Sequence, residues 1–232
     1  MAGIMTFAYD IRSNLTMLVD LLNTAGGIAA DGDQLTTTAG LRDFAAGHDF
    51  SGPLTATKAD VEETRRLRER FAAAFAVGLD AEPATEASLD AEPASEANLD
   101  SDAASDTGPA DESAADALER RIVEEVNLTL RETDALPQLV RHGDWDWHLH
   151  AVGATASLAD RVAADVALVL IDLIRSGDLD RLGRCAAEDC RAYLADFSRN
   201  RSKRFCDTGN CANRTHVAAF RARQSDAGRP SS

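Results

Sequence analysis

The sequence predicts a mainly α-helical body carrying a small β-hairpin, followed by a small carboxyl-terminal module organised by cysteines. Three observations carry that prediction. Apolar residues recur with helical spacing in four separate segments, one short stretch alternates with period two, and all four cysteines fall in one window near the end of the chain.

The first helix is built on Leu15, Leu18, Val19 and Leu22, which fall at i, i+3, i+4 and i+7 and form one stripe; the Gly26-Gly27 pair ends it. The second covers DVEETRRLRERFAAAFAVG, with Val61, Leu67, Phe71 and Phe75 on its apolar side and Asp60 placed to cap it. A third begins near Asp116 and carries Leu118, Ile122, Val126 and Leu130. The fourth runs from about Ser157 to Arg175 and stops at Gly177. Val162, Val166, Leu168, Val169, Leu170 and Ile174 give it a broad apolar face, which places it at the centre of the core.

Between the last two helices lies DWDWHLH, Asp144 to His150. Trp145, Trp147 and Leu149 alternate with Asp146, His148 and His150, which argues a short strand with one apolar face, and the preceding PQLVRHG supplies its hairpin partner. His148 and His150 then share the other face. With no third ligand nearby they read as a polar, exposed edge, and a metal-binding histidine pair is the alternative.

A decaying repeat interrupts the helices: LDAEPATEAS, LDAEPASEAN, then LDSDAASDTG. From Phe71 to Glu119 there are 13 acidic residues and no basic one, and Pro83, Pro93 and Pro109 break any helix. Such a segment buries too little apolar surface to offset its ordering entropy, so about 80–111 reads as a disordered acidic insertion. An acidic mimic that competes for the basic tail is the functional alternative. A ten-residue period is too short for the solenoid units, which begin at about 20 residues.

Charge is distributed unevenly. Residues 1–180 hold 13 Arg and Lys against 34 Asp and Glu, a balance of -21, whereas residues 181–223 hold 10 against 4, a balance of +6. A basic end on an acidic body suggests a local anionic partner, with the body opposing indiscriminate adhesion to nucleic acid; a merely solvated arginine-rich surface is the alternative. Val162 to Ile174 is short for a membrane span and carries Asp165 and Asp172, and MAGIMTFAYDIRS lacks the basic-then-apolar order of an export signal, so the expected location is cytoplasmic. There is no Gly-rich phosphate loop, no His-Glu-x-x-His and no Gly-x-Ser-x-Gly, and the chain is not expected to be an enzyme.

Cys185, Cys190, Cys206 and Cys211 are written C-x4-C, fifteen residues, C-x4-C. In a reducing compartment this clustering points to a tetrahedral zinc site, because each short loop brings two thiolates to one side and the intervening segment returns the chain with the other pair. Two disulfides are the alternative in an oxidising one. Four protein ligands leave no vacant position, so the metal is expected to be structural, and the adjacent Arg184, Arg191, Arg204 and Arg214 offset the net -2 of a tetrathiolate around Zn2+.

At these residues the chain resembles the CGNR zinc-finger family, bacterial proteins that pair an amino-terminal ABATE domain with a carboxyl-terminal zinc-binding module. The likeness covers RLGRCAAEDCRAYLADFSRNRSKRFCDTGNCANRTHVAAFRAR, with its two C-x4-C pairs, the D-F-S-R-N-x-S-K-R-F-C stretch and the final C-A-N-R. Upstream, LTMLVDLLNT is similar to the family's Leu-Asp-x-x-Asn-Thr signature, here with Asp20, Asn23 and Thr24. Ala212 stands where the name-giving Gly would be, and Phe205 where the family usually has Trp. The resemblance implies an ABATE-like helical domain over 1–180 and a treble-clef-like zinc module over 181–224, with 225–232 left as a disordered tail. It further implies a transcription regulator, often described as stress-induced, whose zinc module binds DNA.

Read by themselves, the last residues agree. Asn213 is placed to cap a helix of about Arg214 to Gln224, with Val217, Phe220 and Gln224 on a stripe expected to pack on the zinc knuckles. Arg214, Arg221 and Arg223 lie on its shoulders, and Arg199, Arg201, Lys203 and Arg204 form a second basic loop; these seven are the candidate nucleic-acid contacts. The expected partner is DNA, with a small-molecule effector and a second copy of the chain as further partners of the body, and no membrane. A zinc-stabilised protein-interaction module, or a ligand sensor without direct DNA binding, is the alternative reading.

Overall fold

The most apolar segment of the chain takes the central position. In the computed structural model, which describes residues 9–28, 31–48, 50, 52–79, 113–141 and 146–227, it forms helix α5 (Leu158–Ser176). The Ser157 hydroxyl accepts from the Asp160 N–H at its start, and Gly177 closes it at φ 67°, a left-handed conformation that costs glycine nothing. Val162, Val166, Val169, Leu170 and Leu173 are buried along it.

Three helices pack around α5: α1 (Tyr9–Asn23), α3 (Lys58–Leu79) and α4 (Ala114–Glu132). Helix α1 buries the expected Leu15, Leu18, Val19 and Leu22, and also Met17 and Leu21, because it is covered on two sides. Helix α3 contributes Val61, Leu67, Phe71 and Phe75, and α4 contributes Ile122 and Val126 with Leu118 and Leu130 partly buried. Where α3 meets α4, a Cβ on Gly78 would lie 2.7 Å from the Leu118 Cβ, so glycine is what permits the approach. The acidic repeat expected over 80–111 lies outside the described residues.

Two details differ from the sequence reading. Helix α2 (Thr38–Ala46), capped by the Thr37 hydroxyl, escaped it because only Leu41 and Ala45 are buried, too few to make a period. Asp60 is not the cap of α3. Thr57 holds that position, its hydroxyl accepting from the Asp60 N–H at 3.2 Å, while the Asp60 carboxylate accepts from the Thr57 N–H at 2.7 Å. The other Asp60 oxygen accepts from the Ala159 N–H at 3.2 Å, so one carboxylate joins the amino-terminal ends of α3 and α5.

The expected hairpin is present. Strand β1 (Gln138–Val140) pairs antiparallel with β2 (His148–His150), Leu139 opposite Leu149. Its expected faces do not hold, however: His148 is buried at 7% exposure and Trp147 is 63% exposed, although Leu149 is partly buried against Ala151, Ala164 and Leu168. The histidines are therefore not a polar exposed edge. Burial of His148 is tolerated because both ring nitrogens are engaged, Nδ1 with the Asp146 carbonyl at 2.7 Å and Nε2 with His150 Nε2 at 3.0 Å. Among the described residues no third metal-binding side chain joins the pair, and no helix is long and apolar enough to cross a membrane.

The loop from α1 to α2 is pinned to α3 by a fork of charge-assisted hydrogen bonds. Arg68, 3% exposed, donates Nη1 to Asp33 Oδ1 at 2.8 Å and Nη2 to Oδ2 at 2.7 Å, and Nη1 also reaches the Thr24 hydroxyl. The bond from Arg68 holds the Asp33 carboxyl down at about 2, against the cost of burial. Removing one partner of a pair that keeps some solvent contact costs roughly 2–3 kcal/mol, so Arg68→Met is expected to lower urea stability by that amount at neutral pH. Because the folded-state value is depressed, the contribution is complete above the ordinary carboxyl range and disappears as pH falls through it toward about 2. The gap between wild type and Asp33→Asn should therefore close between pH 5 and pH 2, roughly, in acid titrations of stability.

Candidate metal centre

Beyond Gly177 the chain makes a short 3-10 turn and enters a second antiparallel hairpin, β3 (Leu182–Arg184) with β4 (Tyr193–Ala195), Gly183 opposite Leu194. The first cysteine pair is the tip of this hairpin: Cys185 N–H donates to the Ala192 carbonyl at 2.9 Å, and Cys190 N–H to Ala187 at 2.9 Å. Asp196 shapes the return, accepting from the backbone of Ser198 and of Lys203 at 2.7 Å each. Ala186 N–H then reaches the Arg204 carbonyl at 2.8 Å, which ties the two knuckles together before Cys206. Helix α6 (Cys211–Ala227) starts on the last cysteine.

The four sulfurs lie within 4.8 Å of one another, with Cys190–Cys206 and Cys206–Cys211 at 3.7 Å. A tetrahedral zinc with Zn–S near 2.3 Å places its sulfurs about 3.8 Å apart, whereas a disulfide needs about 2.05 Å. All four cysteines are free, so the structure holds no disulfide among them and its sulfur spacing matches the metal. The donor set fits zinc in a second way, because several hydrogen bonds point at sulfur. Cys206 N–H approaches Cys185 Sγ at 3.5 Å, the Thr208 hydroxyl approaches Cys206 Sγ at 3.2 Å, and Arg214 Nη2 approaches Cys211 Sγ at 3.2 Å. Such donors favour thiolate over thiol. Burial opposes ionisation of Cys206, yet the bonds from Thr208 and the Gly209 backbone outweigh it and bring the thiol down to about 7. At Cys190 burial prevails and pushes the thiol up to about 12.

The centre is joined to the helical body. Asn23, in the last turn of α1, donates Nδ2–H to the Tyr193 carbonyl at 3.1 Å and accepts the Tyr193 N–H at 2.8 Å, pairing its amide with a strand as another strand would. Leu182, Tyr193 and Ala195 belong to the main core, and Tyr193 packs edge-on against Phe75 with centroids 6.2 Å apart. Thr24 accepts from Arg68, and Asp20 faces His48 at 3.5 Å on the body side of a cleft between the body and the knuckles. Nothing in the periodicity of LTMLVDLLNT marks Asn23 as the join to the finger or Thr24 as a support of the neighbouring loop, since their partners are 170 and 44 residues away.

The seven candidate nucleic-acid residues divide into two groups. Arg199, Arg204, Arg221 and Arg223 are exposed, and among the described residues no carboxylate pairs with them. Arg191, which the sequence reading did not include, is exposed in the same way. The other three are engaged. Arg201 pairs with Asp180 and with Asp178 at 2.7 Å, Lys203 with Asp207 at 2.6 Å, and Arg214 with Asp189 at 2.7 Å. Arg184 is also occupied, stacked 3.9 Å over the Tyr193 ring.

Helix α6 differs from expectation in three respects. It begins at Cys211 and not at Arg214, so Asn213 lies inside the first turn and is not its cap. It continues to Ala227 and not only to about Gln224, and 228–232 lie outside the described residues. Its apolar stripe does not pack on the knuckles: Val217 is 39% and Phe220 53% exposed. The cysteine cluster is already covered by Ala187, Ala192, Ile28 and Phe205, and the Phe205 ring meets the His216 ring of the helix with centroids 6.1 Å apart. Ala212 sits in the first helical turn without a positive φ, so replacing the family glycine creates no left-handed strain there.

Two family models match. One, the CGNR zinc finger, covers residues 181–224. The other, ABATE, described as "Putative stress-induced transcription regulator", covers residues 15–177, more than half the chain. The chain belongs to the ABATE family. No curated protein matches it. In this ABATE protein the CGNR finger brings its four cysteines close enough to hold a zinc ion, while Asn23 and Thr24 of the amino-terminal signature hold the finger and the loop beside it in place.

Because β4 belongs to both the core and the finger, stripping the metal with a chelator under reducing conditions is expected to lower the melting temperature of the whole chain in one transition, followed by circular dichroism. Asn23→Ala leaves two buried backbone groups of Tyr193 unpaired and should cost about 2 kcal/mol without releasing the metal.

Proposed function

We propose that this ABATE protein is a zinc-dependent DNA-binding regulator, with the finger supplying the contact to DNA and the helical body supplying regulation. The observation that carries the reading is the exposed, unpaired group of arginines on one small module: Arg191, Arg199 and Arg204 on the knuckles, Arg221 and Arg223 on α6. The module holds 10 basic against 4 acidic side chains, and remains positive after the net -2 of a tetrathiolate zinc is counted. The body, at -21, repels polyanions and confines attraction to the finger. The family description, a stress-induced transcription regulator, supports the regulatory part of this reading.

Helix α6 is exposed from His216 to Arg221 and again at Arg223 and Gln224, so this stretch can enter a groove without rearrangement of its neighbours. Contacts from arginine to phosphate set affinity and register, and base readout would come from the exposed face of the helix. An effector would sit in the cleft of about 950 Å3 between α1, α2 and the knuckles, where Asp20, Asp43, His48 and Arg191 line the walls. Exposure of Val217 and Phe220 favours a second reading, in which the same helix docks on a protein, as a partner or as a second copy of the chain.

Titration of a labelled duplex at several salt concentrations separates the two. Neutralisation of about five phosphates gives a logarithmic salt slope of roughly -4 to -5. Arg221→Ala and Arg223→Ala are each expected to reduce that slope by about 1, whereas Arg201→Ala, whose side chain is committed to Asp178 and Asp180, should not. Absence of DNA binding, or a slope indifferent to Arg221 and Arg223, overturns the reading.

A further inference from the structure

Arg214 stands out among the basic residues of the finger because its guanidinium touches a metal ligand. It lies one turn beyond Cys211 on α6, which places its side chain over that sulfur; Nη2 donates to Cys211 Sγ at 3.2 Å. Both terminal nitrogens also donate to Asp189, Nη1 to Oδ2 at 2.7 Å and Nη2 to Oδ1 at 3.2 Å. Asp189 belongs to the opposite knuckle, next to Cys190. A single side chain thus spans from the last ligand to the loop that carries the second. Its backbone is fixed as well, since Arg214 N–H donates to the Asn210 carbonyl at 3.0 Å.

The guanidinium sits at the rim of a cleft, with its side chain about half exposed at 51%. Arg214, Asp189, Cys190 and Cys211 together line the cleft toward α1 and α2, on the body side of the finger. A fork that gives three of its five N–H groups to a carboxylate and a thiolate has its charge already balanced locally, which weakens its pull on a phosphate. A tetrathiolate zinc unit carries two negative charges, and a donor held against one sulfur lowers the basicity of that sulfur toward protons and competing electrophiles.

We propose that Arg214 is a positioning residue of the zinc centre, a latch that clips Cys211 to the opposite knuckle through Asp189, and that it takes no part in binding nucleic acid. The four cysteines fit the metal, and the inference holds whether or not the finger binds DNA.

The test measures zinc transfer from the full-length, zinc-loaded protein to a colorimetric chelator under reducing conditions. Arg214→Gln is expected to release zinc about 10-fold faster or more, the scale on which outer partners of metal ligands act. Arg214→Lys keeps the charge but cannot reach Asp189 and Cys211 together, and should fall between wild type and Gln. Asp189→Asn should also accelerate release, and adding it to Arg214→Gln should change little further, because both remove the same latch. In the duplex titration Arg214→Gln should keep the wild-type salt slope while Arg221→Ala lowers it. Release by Arg214→Gln within about twofold of wild type, or a slope reduced by about 1 with release unchanged, overturns the proposal. If no variant and not even wild type binds DNA, the DNA reading fails and the release rates alone decide this one. Circular dichroism reports whether Arg214→Gln folds; if it does not, the Lys and Asp189→Asn release rates decide.

Discussion

Four sulfurs drawn from two short loops must sit around one point, and nearly every feature of the last fifty residues follows from that requirement. The finger has few large apolar side chains of its own; Ala187, Ala192 and Phe205 are what it folds around. A segment of this size cannot bury enough surface to order itself, so coordination supplies the missing free energy. The hairpin tip, the Asp196-shaped return and the start of α6 are the covalent and hydrogen-bonded means of delivering sulfur to that point.

The second consequence concerns the body. Strand β4 presents Tyr193 and Ala195 to the main core and runs directly from Cys190 in sequence, so the metal site and the helical core share a structural element. Asn23 reads the backbone of that strand with both ends of its amide. Any change in the body that moves the end of α1 therefore acts on the hairpin carrying the first two ligands, and the reverse holds. The coupling runs through packed elements.

Much of this was legible in the sequence, for definable reasons. Helices α1, α3, α4 and α5 each carry at least two turns of apolar period, and caps such as Ser157 and Gly177 mark ends by local chemistry alone. The metal centre was legible because C-x4-C spacing is a statement about loop reach. What escaped depends on long-range partners. Helix α2 buries two residues only; the inward turn of His148 depends on a bond to His150 and packing below; and the exposure of Val217 and Phe220 depends on the knuckles being covered already by other residues. The arginines show the same limit. Counting them gave the sign of the module, but which ones are spent on Asp178, Asp189 and Asp207 is a fact of three-dimensional neighbours.

X-ray absorption at the zinc edge of protein purified under reducing conditions tests the central claim most directly. The account requires a single shell of four sulfurs at about 2.3 Å and one zinc per chain. A shell containing nitrogen or oxygen, or protein that carries no zinc and shows sulfur bonded to sulfur, would contradict it.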